Sequence, residues 1–259
     1  MTETPEQERP FVAPCKALSA TAPIKWMRKG WQDMRQAPRQ SLGYGVIMVL
    51  ISYLLTALTW RYGNLGLYLG LVSGFVFLGP WLALTLYAIS MRLERADAVS
   101  LRGSLNDARR QISGAMVFAV ILTVVFLVWA RAATVIHVFF PETGDPMVED
   151  LLVFLAVGST VGAFFCAIVF AVSAFSLPML MERDVDTVTA IVTSVNAVLR
   201  NKPAMLVWAL LIGACIVIGA LTAWLAFAVL LPVLGHATWH GYRETIDASE
   251  WPLAKSEPV

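Results

Sequence analysis

The stretch that decides the fold is PAMLVWALLIGACIVIGALTAWLAFAVLLPVLGHATWHGY, residues 203–242. As one helix it would run about 60 Å at 1.5 Å per residue, roughly twice a hydrocarbon core of about 30 Å. Broken near Gly219-Ala220, it becomes a hairpin of two helices that each cross once. The tryptophans agree with the break. Trp208, Trp224 and Trp239 recur at intervals of about 24 Å of helix, so a hairpin sets each near a membrane–water interface, where Trp is enriched. One long helix would leave two of them far outside.

Four further apolar runs lie upstream, at about 44–60, 64–90, 113–130 and 151–181, none with an Asp, Glu, Lys or Arg between its ends. With 204–219 and 221–241 they predict an all-α polytopic membrane bundle of six transmembrane helices in three hairpins; an unbroken last stretch would make five spans. The composition points the same way: 58% of the 259 residues are apolar and 14% charged, against roughly a quarter charged in soluble domains. Mean hydropathy is +0.69. The membrane domain is expected over 25–243, with a disordered cytoplasmic N-terminus over 1–24 and a cytoplasmic tail over 244–259. No signal peptide is visible in Met1–Thr21, which lacks a continuous apolar core.

Charge sets the orientation. Of the 19 Lys and Arg, 17 fall in the N-terminal segment, the connections after the second and fourth spans, and the tail. The opposite side holds Arg61 and Arg131, with Glu142, Asp145, Glu149 and Asp150. Positive charge stays inside, so both termini are expected in the cytoplasm. Net charge is only +1, and no basic tract calls for nucleic acid.

A threefold internal repeat shows in the second helix of each hairpin, which carries one late proline: Pro80, Pro178 and Pro232. Each removes a backbone hydrogen bond and is expected to kink its helix. A shorter mixed-polarity segment precedes each hairpin, at 25–40, 98–111 and 187–202. The unit reads as an amphipathic interfacial helix followed by a hairpin. In the first such helix Trp26, Met27, Trp31 and Met34 would face the membrane, with Lys25, Arg28, Lys29 and Arg35 toward headgroups. Gly66, Gly70 and Gly74, and Gly158 and Gly162 continued by Cys166, follow the small-residue spacing that lets membrane helices approach closely.

The segments SLGYG (41–45), GFVFLGPWLALTLYAISMRLER (74–95), SLPMLMER (176–183) and LPVLGHATWHGYR (231–243) resemble a family of predicted bacterial integral membrane proteins, domain of unknown function 2189. The likeness covers roughly Trp26 to Arg243. It implies a bacterial inner-membrane protein and carries no activity across. Members are sometimes loosely labelled as related to cytochrome oxidase.

Residues that could carry chemistry are few. His236 and His240 stand four apart on one helical face, a spacing that can share a metal, but HATWH has no carboxylate between them. The third histidine, His137, falls on the opposite side. Three histidines exclude a haem–copper catalytic subunit. No Asp, Glu, Lys or Arg lies inside the spans, which argues against an ion-coupled pump of charged solutes. There is no GxSxG, P-loop or paired-carboxylate motif. Ser41, Ser100, Ser104 and Ser194 stand at cytoplasmic helix starts, where capping is the expected role. Glu182 and Arg183, beside Asp184 and Asp186, form a charged elbow. Cys15, Cys166 and Cys215 read as small apolar residues.

The expectation is a non-enzymatic inner-membrane protein without a cofactor, scaffolding or accompanying a membrane complex. Its partners would be the bilayer, anionic lipid headgroups and a membrane protein. A small-molecule or lipid transporter is the second reading, and a metal- or haem-linked respiratory accessory through His236 and His240 the third.

Overall fold

The computed structural model describes residues 10–63, 82–139 and 148–254. Ten helices lie among them. They are α1 (Ala22–Gln36), α2 (Pro38–Tyr62), α3 (82–94), α4 (Leu101–Arg110), α5 (Ile112–Phe139), α6 (Val148–Ser173), α7 (Ser176–Glu182), α8 (Thr187–Arg200), α9 (Lys202–Leu221) and α10 (Phe227–Thr245). No strand forms among the described residues, only the isolated bridges Cys15–Ile246 and Arg183–Leu253.

Among the described residues, four helices are long and apolar enough to cross a membrane: Pro38–Tyr62, Ile112–Ile136, Leu152–Glu182 and Lys202–Leu221. Of the expected span at 64–90, only the end lies within the described residues, as α3. The expected span at 221–241 is not among these four. Residues 222–226 form a turn, with Ala223 and Trp224 at positive φ and the Trp224 amide bonded to the Gly219 carbonyl. The following helix, α10, carries His236, His240, Arg243 and Glu244 in its second half, and that half serves the protein interior. Residues 203–242 are thus two helices, broken within a few residues of the expected point.

Prolines set two of the helix boundaries. Pro38 disfavours α geometry at the residue before it, and Ala37, at φ −123° and ψ 57°, separates α1 from α2. Pro178 has no N–H to donate to the carbonyl four residues back, and the chain turns at Ala174–Phe175 between α6 and α7. A side chain completes this break. The Phe175 amide donates to Ser194 Oγ at 3.0 Å, and that hydroxyl donates to the Ala171 carbonyl at 2.8 Å, so Ser194 of α8 is inserted where a helical hydrogen bond would be. Pro232 lies inside a continuous α10, where it leaves the Ala228 carbonyl without its helical donor. Gly45 of α2 packs directly against that carbonyl. Pro80 lies outside the described residues.

The core gathers Trp26, Phe118, Phe175, Met179, Trp208, Trp239, Tyr242 and Trp251, all buried. Trp26 meets Trp208 and Phe175 edge-on, at 5.7 and 6.0 Å between ring centroids. Trp208 and Trp239 are therefore core residues rather than interfacial anchors, because their rings are packed inside, Trp208 against Trp26 of α1 and Trp239 against Tyr242. The membrane-facing stripe expected on α1 is corrected for the same reason. Trp26 and Met34 are buried with Gly30 and Asp33, while Trp31 is 45% exposed. A Cβ on Gly30 would stand 2.6 Å from the Val233 carbonyl oxygen and 2.7 Å from the Ala237 amide, so α1 presses backbone to backbone on α10.

The termini also differ from expectation. Ala13 donates its amide to Thr193 Oγ1, Lys16 to the Thr245 carbonyl and Leu18 to Asn201 Oδ1, while Asn201 Nδ2 returns a bond to the Lys16 carbonyl. In the tail, Trp251 is buried, Asp184 donates to the Pro252 carbonyl and Ala254 to that of Glu182. Residues 10–21 and 246–254 are straps across the helices, held by backbone bonds that composition does not reveal; 1–9 and 255–259 lie outside the described residues. The glycine rows divide likewise. Gly66, Gly70 and Gly74 lie outside, and Gly158 and Gly162 have nothing within 4 Å of where a Cβ would stand, so no described helix closes on them.

Candidate functional site

Four buried polar residues, Asp33, Ser41, Ser90 and His236, converge where α1, α2, α3 and α10 meet. Trp26, Gly30 and Asp33 fall on one stripe of α1, as do Ser90 and Glu94 on α3, and His236, His240 and Arg243 on α10. His236 is 0% exposed and its ring nitrogens face hydroxyls on both sides. Nε2 lies 2.9 Å from Ser41 Oγ and Nδ1 lies 2.8 Å from Ser90 Oγ.

The geometry assigns the hydrogens. Ser90 donates its single hydrogen to Asp33 Oδ2 at 2.7 Å. Its oxygen can then only accept from His236, so Nδ1 carries the ring hydrogen. In the neutral ring Nε2 is left as an acceptor, which the Ser41 hydroxyl fills. His240 Nε2 reaches the same Asp33 oxygen at 2.9 Å. A directed chain therefore runs from Ser41 through His236 and Ser90 to Asp33, with His240 at its more exposed end. This satisfies the polar groups that burial would otherwise leave at a cost of about 1–3 kcal/mol each.

A second cluster lies one turn further along α10. Glu182, buried, accepts from Tyr242 Oη at 2.6 Å, Arg243 Nη1 at 2.7 Å and Arg183 Nε at 3.2 Å. Glu94 accepts from Trp239 Nε1 at 2.9 Å and Arg243 Nε at 3.1 Å. Trp26 Nε1 donates to Glu244 at 2.8 Å. Burial, and then the Glu182 carboxylate beside it, push the Tyr242 phenol well above its usual pKa. Burial pulls Arg243 down, but Glu182 and Glu94 outweigh it and the guanidinium is net raised. This cluster holds structure by charge-assisted bonds.

The metal expected at His236 and His240 finds no donor set. Both nitrogens of His236 are engaged, and no group of three His, Cys, Asp or Glu that could hold a metal occurs among the described residues. Three of the four serines expected as caps take other parts. Ser100 does cap α4, accepting from Gly103 at 3.0 Å, but Ser41 and Ser194 serve as above, and Ser104 Oγ is buried without a partner among the described residues. The sequence reading missed Asp33, Ser90 and Glu94. Asp33 was detectable as the one carboxylate on the apolar stripe of α1; Ser90 and Glu94 gave no comparable signal.

A family model covers the middle of the chain, from the second apolar run to the end of α7. Residues 67–182 match the DUF2189 family of predicted integral membrane proteins. The DUF2189 match bears out the family resemblance over 67–182, and with it the membrane reading. It includes Ser90, Glu94 and Glu182; Asp33, Ser41, His236 and His240 lie outside it. No curated protein and no solved structure matches the chain.

Proposed function

We propose that this chain is a non-enzymatic scaffold or accessory of a membrane complex in the bacterial inner membrane, with six spans and both termini in the cytoplasm. The observation that carries it is the span Leu152–Glu182, of which no part of the most apolar window is buried by described residues. Its outward side chains, among them Leu152, Val153, Leu155 and Phe164, suit lipid or the helix of a partner. The span ends in a head that α1, α8, α10 and both straps lock together, a rigid mount for such contacts.

The buried chain supports a role in contact rather than chemistry. Ser41 and His236 are wholly buried, and a general base must reach the proton that it abstracts. The placement of α1, α4 and α8 supports three units of amphipathic helix plus hairpin. For transport, the described proline break is filled by Ser194 rather than opened.

The test is purification from native membranes in mild detergent, followed by native mass spectrometry. Stoichiometric co-purification of the same membrane protein is the expected result; repeated recovery of the bare chain would overturn the reading.

A further inference from the structure

We propose that the cavity where the end of α3, α4 and α7 meet binds the phosphate group of a membrane lipid. The proposal rests on the membrane reading above and adds to it a site and a ligand class. The cavity has a volume of about 100 Å³ and is lined by Arg92, Arg95, Asp97, Asp107, Arg110 and Glu182, among others.

The charges that line it balance in number, three arginines against three carboxylates, but they are not equally committed. Arg92 is bound to Asp107 at 2.7 Å, and Glu182 to Arg243 at 2.7 Å and Arg183 at 3.2 Å. That leaves Arg95 and Arg110, which form no ion pair among the described residues, against Asp97 alone. The cavity therefore offers two uncommitted guanidinium groups against one uncommitted carboxylate, and guanidinium is the side chain whose fork of donors suits phosphate oxygens. The uncommitted Asp97 suits the ammonium of a zwitterionic headgroup.

The span ends set the depth. Arg110 lies two residues before the span Ile112–Ile136, and Glu182 closes the span Leu152–Glu182. The cavity thus lies where two spans reach the same side, at headgroup level. A free phosphate ion offers the same chemistry, and the test separates the two sources.

The full chain, in an uncharged detergent, is titrated with dihexanoyl phosphatidic acid, dihexanoylglycerol or inorganic phosphate while its thermal midpoint is followed. A rise of about 3 °C is expected with phosphatidic acid, and none with dihexanoylglycerol, which has the same chains without the phosphate. A matching rise with inorganic phosphate would support the site and make the free ion sufficient. The rise should vanish in Arg95→Gln/Arg110→Gln and persist in Arg102→Gln, an exposed arginine of α4 outside the lining. Both arginines of the double variant are exposed and unpaired, and an unliganded midpoint near wild type checks its fold. No rise with either phosphate compound, an equal rise with dihexanoylglycerol, or a rise that survives the double variant would overturn the site. Loss of this response with partners still recovered would sink the site alone; a bare chain with the response intact would sink the scaffold alone.

Discussion

Ser41 Oγ lies 2.9 Å from His236 Nε2, which ties the start of α2 to α10 across 195 residues of sequence. The bond is one of a chain that ends on Asp33, and each link satisfies a group that water cannot reach. Removing the centre should cost more than removing an end. His236→Leu leaves the hydroxyls of both Ser41 and Ser90 without the ring, so a loss of about 2–4 kcal/mol is expected, against about 1 kcal/mol for Ser41→Ala. Thermal unfolding of the purified variants measures both, and a near-neutral His236→Leu would contradict the chain.

Backbone proximity gives a paired test. Gly30→Ala puts a methyl group 2.6 Å from the Val233 carbonyl oxygen, and neither backbone can yield cheaply. A loss of about 1–3 kcal/mol follows. Gly158→Ala meets nothing within 4 Å and should be neutral or slightly stabilising. Equal effects in the same unfolding assay would refute the close approach of α1 to α10.

Arg243 joins two carboxylates that belong to different helices. Arg243→Met keeps much of the stem and removes the charge, leaving buried Glu182 with Arg183 and Tyr242 only. Because the guanidinium is partly exposed, the expected cost is about 1–3 kcal/mol rather than the larger value of a fully buried pair. Adding Glu182→Gln should recover part of it, since the unpaired charge is then gone; a double-mutant cycle reads the coupling.

The N-cap of α8 gives a pH-dependent prediction. Asp186 accepts from the Thr189 amide at 2.9 Å. Partial burial pushes its pKa up, but the bonds from Thr189 and nearby amides outweigh this and hold it below the usual 3.8. A depressed folded pKa means stability that is present above the unfolded value and lost as pH falls through the folded one. Asp186→Ala should therefore cost about 1 kcal/mol at neutral pH, and the gap to wild type should narrow below about pH 4. A gap that stays constant with pH would show that the charge plays no part.

Topology can be read in intact cells. Single cysteines placed in 142–150 and in 102–110 of a variant lacking Cys15, Cys166 and Cys215 should label from opposite sides of the membrane. Labelling of both from one side would remove the orientation.

Much of the helical framework was legible in the sequence. The runs at 44–60, 113–130, 151–181 and 204–219 became candidate spans because hydropathy is a local property, summed over neighbours along the chain. Pro38, Pro178 and the 222–226 turn mark breaks for an equally local reason, a missing donor or a backbone that must reverse. The partnerships were decided only by the tertiary structure. Whether Asp33 faces water or Ser90, whether Trp208 anchors at an interface or packs on Trp26, and whether residues 10–21 hang free or bind α8 all depend on groups distant in sequence. A buried polar group is costly or favourable according to the partner it meets, and no window along the chain contains that partner.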